Sequence, residues 1–218
     1  MNVQKVFRFL VLATLLGIGF IAPAQAALIS VQPSGQSALV GGTPGVDIVL
    51  SGLGPTETVG GFSFELTYNS AIIQVASYQA DPAHVMGAAS LCLGCSQAPF
   101  TGSALDIDLL ADLALSQAQL HAAEGTGFTL AHVNFLASAL GTSPVNLHKL
   151  PDLPQAAFLS DFLGGASIAT TSANGTVCVV GPSALTVPCV AQTPEPGSLA
   201  LLALGGMALG AIRRRRSA

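Results

Sequence analysis

Residues 62–68, Phe-Ser-Phe-Glu-Leu-Thr-Tyr, alternate strictly between apolar and polar side chains. Successive side chains of an extended chain point to opposite faces. Phe62, Phe64, Leu66 and Tyr68 therefore line one face, and Ser63, Glu65 and Thr67 the other, which is the pattern of a half-buried β-strand. Val46, Ile48 and Leu50 alternate with Asp47, Val49 and Ser51 in the same way. In "LDIDLLADLAL", residues 105–115, the same period places Leu105, Ile107, Leu109, Ala111, Leu113 and Leu115 on one face and Asp106, Asp108 and Asp112 on the other. A helix also accepts Leu, Ala and Asp, but a period of two accounts for more of these positions.

Working outward, further extended runs are "LISVQ" from Leu28, "IIQVASY" from Ile72, "FTLAHVNFLA" from Phe128, "PVNLHKL" from Pro144, "AAFLSD" from Ala156 and "GTVCVV" from Gly175. Gly and Pro punctuate the gaps between them. Only "SQAQLHAAE", Ser116 to Glu124, predicts a short helix. Many short strands without alternating helices specify an all-β fold, a two-sheet β-sandwich. No internal repeat is visible.

The two ends do not belong to this pattern. The first 26 residues carry Lys5 and Arg8, an apolar run from Phe9 to Ala22 and the small-residue sequence Ala24-Gln25-Ala26. These are the parts of a secretory signal peptide, with cleavage expected before Ala27. At the other end, residues 198–212 form an uncharged apolar stretch, followed at once by Arg213, Arg214, Arg215 and Arg216. At about 1.5 Å per residue such a helix spans roughly 22 Å, short of a ~30 Å hydrocarbon core, so it lodges in a membrane only if the arginines snorkel. Positive charge keeps that end in the cytoplasm and leaves the body outside. Pro194-Glu195-Pro196 precedes the helix as an extended, exposed strip, because proline suits a helix start and not its interior.

Removing the ends changes the charge balance. Two of the seven basic residues lie in the signal peptide and four in the tail, so Lys149 alone faces ten acids between Ala27 and Gln192, a net charge near −9. Such a surface repels phosphate backbones, which excludes nucleic-acid partners and favours cations or neutral polymers. The 166 residues of this stretch suffice for one domain with a core. The expected layout is a signal peptide at 1–26, the sandwich at 27–181, a linker at 182–193 and the tail at 194–218.

Four cysteines in an exported chain favour disulfides over zinc. Cys178 and Cys189 flank "VVGPSALTVP", and a bridge between them would staple a hairpin or loop. Cys92 and Cys95 form "CLGC"; redox work would need a helix N-terminus and an α/β surround, and neither is visible. Four cysteines allow three pairings, and the sequence leaves the choice open. No Gly-x-Ser-x-Gly elbow, His-Glu-x-x-His helix or phosphate loop occurs in the body. His84, His121, His132 and His148 are scattered without a telling spacing. Asp106 and Asp108 share a strand face, and with Asp112 they offer oxygens to Ca²⁺, although an EF-hand loop is missing and a solvated acidic face is the simpler account. A hydrolase built on Asp106 and Asp108 is the catalytic alternative, but the expectation is a protein that is not an enzyme and needs no cofactor.

Two resemblances follow. Pro194-Glu195-Pro196, the short apolar helix and the Arg213–Arg216 cluster at the extreme C-terminus resemble the PEP-CTERM sorting signal of Gram-negative bacteria that make exopolysaccharide. The resemblance implies that exosortase is a partner, which recognises and processes the tail. It further implies delivery through an inner-membrane intermediate to the cell surface or extracellular matrix, in a biofilm setting. Thr193 stands where that family often has Val. The body, through "VDIVLSGLG", "VGGFSFELTYNSAIIQV", "FTLAHVNFLASALGTSPVNL" and "GTVCVV", resembles cohesin-like domains, with Tyr68-Asn69-Ser70 in place of their Tyr-Asp turn. That implies a cohesin-like jelly-roll sandwich that binds or scaffolds, with exopolysaccharide or another surface protein as partner. The alternatives are a carbohydrate-binding module and a permanently membrane-anchored surface protein. With no Trp and two tyrosines, stacking platforms for sugars are scarce.

Overall fold

The computed structural model describes residues 26–149, 159–161 and 167–182. Strand β4 (Val59–Tyr68), which contains the alternating heptad, is the central element. Along one edge it pairs antiparallel with β7 (Ala104–Leu110), from Gly61↔Leu110 to Thr67↔Ala104. Its other edge is shared: β9 (Gly141–His148) takes Glu65–Tyr68, and the three residues of β10 (Leu159–Asp161) take its start.

β2 (Gly35–Leu39), β6 (Leu91–Cys92) and β12 (Gly175–Val180) complete this sheet in the order β2-β12-β9-β4-β7-β6. The facing sheet runs β11-β1-β3-β8-β5, with β1 (Ala27–Gln32), β3 (Gly45–Ser51), β5 (Ile73–Ala80), β8 (Thr129–Ala137) and β11 (Thr170–Ala173). Among the described residues two sheets and one short helix make the all-β sandwich that the alternation specifies.

The core lies between the sheets, where each strand sends its apolar face. Ile29, Ile48, Leu50, Val133 and Phe135 meet Phe64, Leu66, Leu105, Ile107, Val145 and Val177, all nearly inaccessible to solvent. Each such side chain contributes about 1.5–3 kcal/mol on burial, which offsets the cost of ordering the chain. Tyr68 packs edge-on against Phe135 across the core, with ring centroids 5.4 Å apart.

Helix α1 (Gln117–Glu124) starts where the sequence places it, with Ser116 as N-cap. Ser116 and Gln119 form a capping box: the Ser116 hydroxyl accepts from the Gln119 N–H, and the Gln119 side chain accepts from the Ser116 N–H. Gly125 closes the helix with a positive φ of 57°. Leu120 and Glu124 are its buried residues.

Two departures from the sequence reading stand out. The strand expected over 105–115 ends at Leu110. The Asp112 carboxylate accepts from the Ala89 and Ala114 N–H groups, turning the chain, so Leu113 is 71% exposed. β2 and β11 are strands that periodicity does not reveal; both are short, bury no residue fully, and pair in parallel, with β12 and β1 respectively. No helix among the described residues is long and apolar enough to cross a membrane. The signal peptide's apolar run, Ala24, Cys189, Pro194–Pro196, the apolar stretch 198–212 and Arg213–Arg216 lie outside the described residues.

Candidate functional site

The outward residues of β9, β4 and β7 form cross-strand rows on the second sheet. Glu65 sits between His148 and Asp106, Thr67 between Asn146 and Ala104, and Ser63 beside Asp108. The His148 Nε2 and the Thr67 hydroxyl are 3.1 Å apart. Ser63 Oγ and Asp106 Oδ1 are enclosed without a hydrogen-bond partner among the described residues. Burial pushes the Asp108 carboxyl above the ordinary aspartate range. Asp106 and Asp108 are thus brought together as the alternation requires, while Asp112 is engaged in its turn. Among the described residues no group of three or more His, Cys, Asp or Glu is placed to hold a metal ion.

A cysteine-bearing loop flanks this surface. Cys92 and Cys95 are joined by a disulfide with Cα atoms 5.6 Å apart. Beyond β6 the loop runs along the edge of β7: the Leu93 N–H donates to Asp108 O, and the Ser96 N–H to Asp106 O. The Tyr78 hydroxyl of β5 donates to Ser96 O at 2.9 Å, and the Tyr78 ring meets Phe100 edge-on. The Tyr68 hydroxyl donates to Gly102 O at 3.0 Å. The loop therefore spans from the edge of the second sheet to the edge strand of the first, and the disulfide tightens its turn. Cys178 is disulfide-bonded as well, and it faces outward on β12 near Thr142.

Strand register creates two arrangements that residue spacing alone conceals. On the first sheet His132 lies opposite Asp47, and His132 Nδ1 is 2.6 Å from Asp47 Oδ1. His132 Nε2 faces Asn134 Oδ1, and the Asn134 amide donates to Ser77 Oγ, so a polar chain crosses β3, β8 and β5. At the start of β4, both oxygens of the buried Glu124 accept from the Val59 N–H, at 3.1 and 3.0 Å. Desolvation raises the Glu124 pKa to about 7, against the lowering effects of that hydrogen bond and of His121. The one warning in the sequence is an acid at the end of a helix whose neighbours are small and polar.

Comparison with known proteins gives two findings. The PEP-CTERM protein-sorting motif matches residues 192–216, a span that includes Pro194-Glu195-Pro196 and Arg213–Arg216. None of the curated proteins matches the chain in sequence. Among solved structures, a chain of the type I cohesin–dockerin complex Coh-OlpA-Doc918 of Clostridium thermocellum is similar at a TM-score of 0.53 and 13% identity, over 72% of this chain and 100% of that one. The sixth cohesin of scaffoldin B from Acetivibrio cellulolyticus, solved with a Cel5 dockerin, gives 0.51 and 16%, over 72% and 100%. CaCohA2 of Clostridium acetobutylicum, solved in solution, gives 0.51 and 16%, over 72% and 93%. At such identities the likeness is one of fold. The chain thus carries a PEP-CTERM protein-sorting motif at its C-terminal end, behind a β-sandwich with the fold of cohesin domains.

Proposed function

We propose that this is an exported surface protein whose sandwich binds a partner protein and performs no chemistry of its own. The sorting motif at 192–216 carries the first half of this reading. On it, cleavage before Ala27 releases the chain outward, and the apolar helix holds it in the inner membrane with Arg213–Arg216 in the cytoplasm. Exosortase then acts at Pro194-Glu195-Pro196 and delivers the body to the cell surface or the exopolysaccharide matrix.

The second half is supported by the cohesin fold, two of whose solved examples are complexes with dockerins. The row His148–Glu65–Asp106, with exposed Leu93 beside the neighbouring Asp108, is the surface we assign to the partner. It offers carboxylates and hydroxyls to a partner that brings positive charge and donors.

Intact mass and cell fractionation, in hosts with and without exosortase, test the sorting reading. A mature chain ending near Pro196 only when exosortase is present is the expected result. A tail retained in the membrane in both hosts makes the segment a permanent anchor and overturns the matrix-delivery reading.

A further inference from the structure

Strand β12 ends beside an apolar patch on the outer face of the second sheet. Val177 and Val179 point into the core, so Cys178 and Val180 point outward. Val180 lies opposite Leu39 of β2, and Val179 opposite Gly141 of β9, which Leu140 precedes. Leu39, Val40 and Leu140 are 38%, 48% and 64% exposed, and a Cβ added at Gly181 would touch Leu140. The described residues of this end stop here, at Pro182. Along β9 the patch is roughly 23 Å from His148, so it lies apart from the docking row.

We propose that residues 183–190, stapled by a disulfide between Cys178 and Cys189, fold back over this patch and cover it.

Cysteine chemistry is the first support. Cys178 is disulfide-bonded, the chain has four cysteines, and Cys92 and Cys95 hold each other. Cys189 is the partner left within the chain. A disulfide keeps its two Cα atoms about 4.4–6.8 Å apart. β12 already has β2 on one edge and β9 on the other, so a returning segment cannot join it as a neighbouring strand. Because the Cys178 side chain points outward, the return passes over the outer face.

Register is the second. With Cys189 above Cys178 and the return antiparallel to β12, Val187 stands above Val180, with Leu39 and Leu140 to either side. Composition is the third. Residues 178–193, CVVGPSALTVPCVAQT, include no charged side chain, and Ala184, Leu185, Val187 and Val190 are apolar. Solvated linkers are polar and charged, whereas this segment and the patch remove each other's apolar surface from water.

The staple also shortens the tether to the sorting motif. Pro194 follows Cys189 by five residues, a reach of at most about 18 Å, against about 43 Å for the twelve residues from Pro182. What a short tether means for tail processing rests on the sorting reading; the covered patch does not.

The test is hydroxyl-radical footprinting of the full chain in one detergent, without exosortase, read by mass spectrometry after a chymotryptic digest free of reductant. The digest should show Cys178 joined to Cys189. Labelling of Leu39, Val40 and Leu140 should rise about threefold or more in Cys178→Ser with Cys189→Ser, while the exposed Leu113 beyond β7 stays unchanged as the reference. Val187→Asp keeps the bridge and should raise the same three residues, and it decides the matter alone if the double variant fails to fold. The proposal is overturned by a bridge from Cys178 to any other cysteine, or by labelling that a folded variant leaves at the parent's level. Protection that disappears when the parent is diluted also overturns it, and assigns the patch to a second copy of the chain.

Discussion

The carboxyl of Glu124 grips the main-chain N–H of Val59, 65 residues earlier in the chain, with both oxygens. It ties the only helix among the described residues to the first residue of the central strand. It also buries a group that prefers to be neutral. Its pKa moves from 4.5 to about 7 on folding. Below about pH 4.5 both states hold the proton and folding carries no penalty. Between the two values the native state keeps a proton that the unfolded chain has released, so stability falls as pH rises. Above about pH 7 the loss is complete, on the order of 3 kcal/mol. Glu124→Gln keeps an acceptor for Val59 without the charge. Urea unfolding midpoints across this range should fall with pH in the parent and stay flatter in the variant, which should be the more stable of the two above about pH 7.

The Asp47–His132 pair should contribute little by comparison. Their side chains are 47% and 41% exposed, so solvent screens the interaction despite its short distance. A double-mutant cycle with Asp47→Asn and His132→Gln should give a coupling of under about 1 kcal/mol. A larger value would mean that the chain through Asn134 and Ser77 acts cooperatively.

Gly127 adopts φ +153°, and a Cβ there would sit 2.2 Å from the carbonyl oxygen of Leu50. The backbone itself is in the way, so no side-chain rotation relieves it. Gly127→Ala should cost about 3 kcal/mol or more, read as a lowered Tm. Gly125, also at positive φ, has open space around its missing Cβ. Its ψ of −125° lies outside the left-handed helical region that Asn tolerates, so Gly125→Asn should cost about 1–3 kcal/mol from backbone strain alone.

The Cys92–Cys95 bridge closes a very short loop, with a sequence separation of 3. The denatured chain gains little freedom when so short a loop is opened. Cys92→Ala with Cys95→Ala should therefore lower stability by roughly 2 kcal/mol and leave the fold intact. The Tyr78–Ser96 and Tyr68–Gly102 hydrogen bonds still hold the loop over the sandwich edge. Amide exchange should rise at Leu93 and Ser96 while β4 stays protected.

Legibility in the sequence followed the range of the interactions. The face of β4, the apolar side of β3 and the capped helix depend on neighbours a few residues apart, and periodicity and capping chemistry reveal them directly. β2 and β11 depend on strands far along the chain, and their own residues, "GQSAL" and "TTSA", carry no apolar stripe. The Asp106–Asp108 pairing was legible because both belong to one strand. The Asp47–His132 contact was not, because cross-strand register decides it. The end of β7 escaped periodicity because the alternation continues to Leu115 while Asp112 turns the backbone.

The pairing of β1 with β11 has a consequence in time. Ala27 is fully buried and its N–H donates to Ala169 O, so the first strand of the sandwich is completed by one of the last. A chain made or threaded from its N-terminus carries β1 without this neighbour until residues near 170 arrive. The domain cannot close around its beginning while its end is still in transit, and such distant pairing makes for slow closure. Over that interval the half-built sheet exposes an open edge, and any factor that shields the nascent chain would act on that edge.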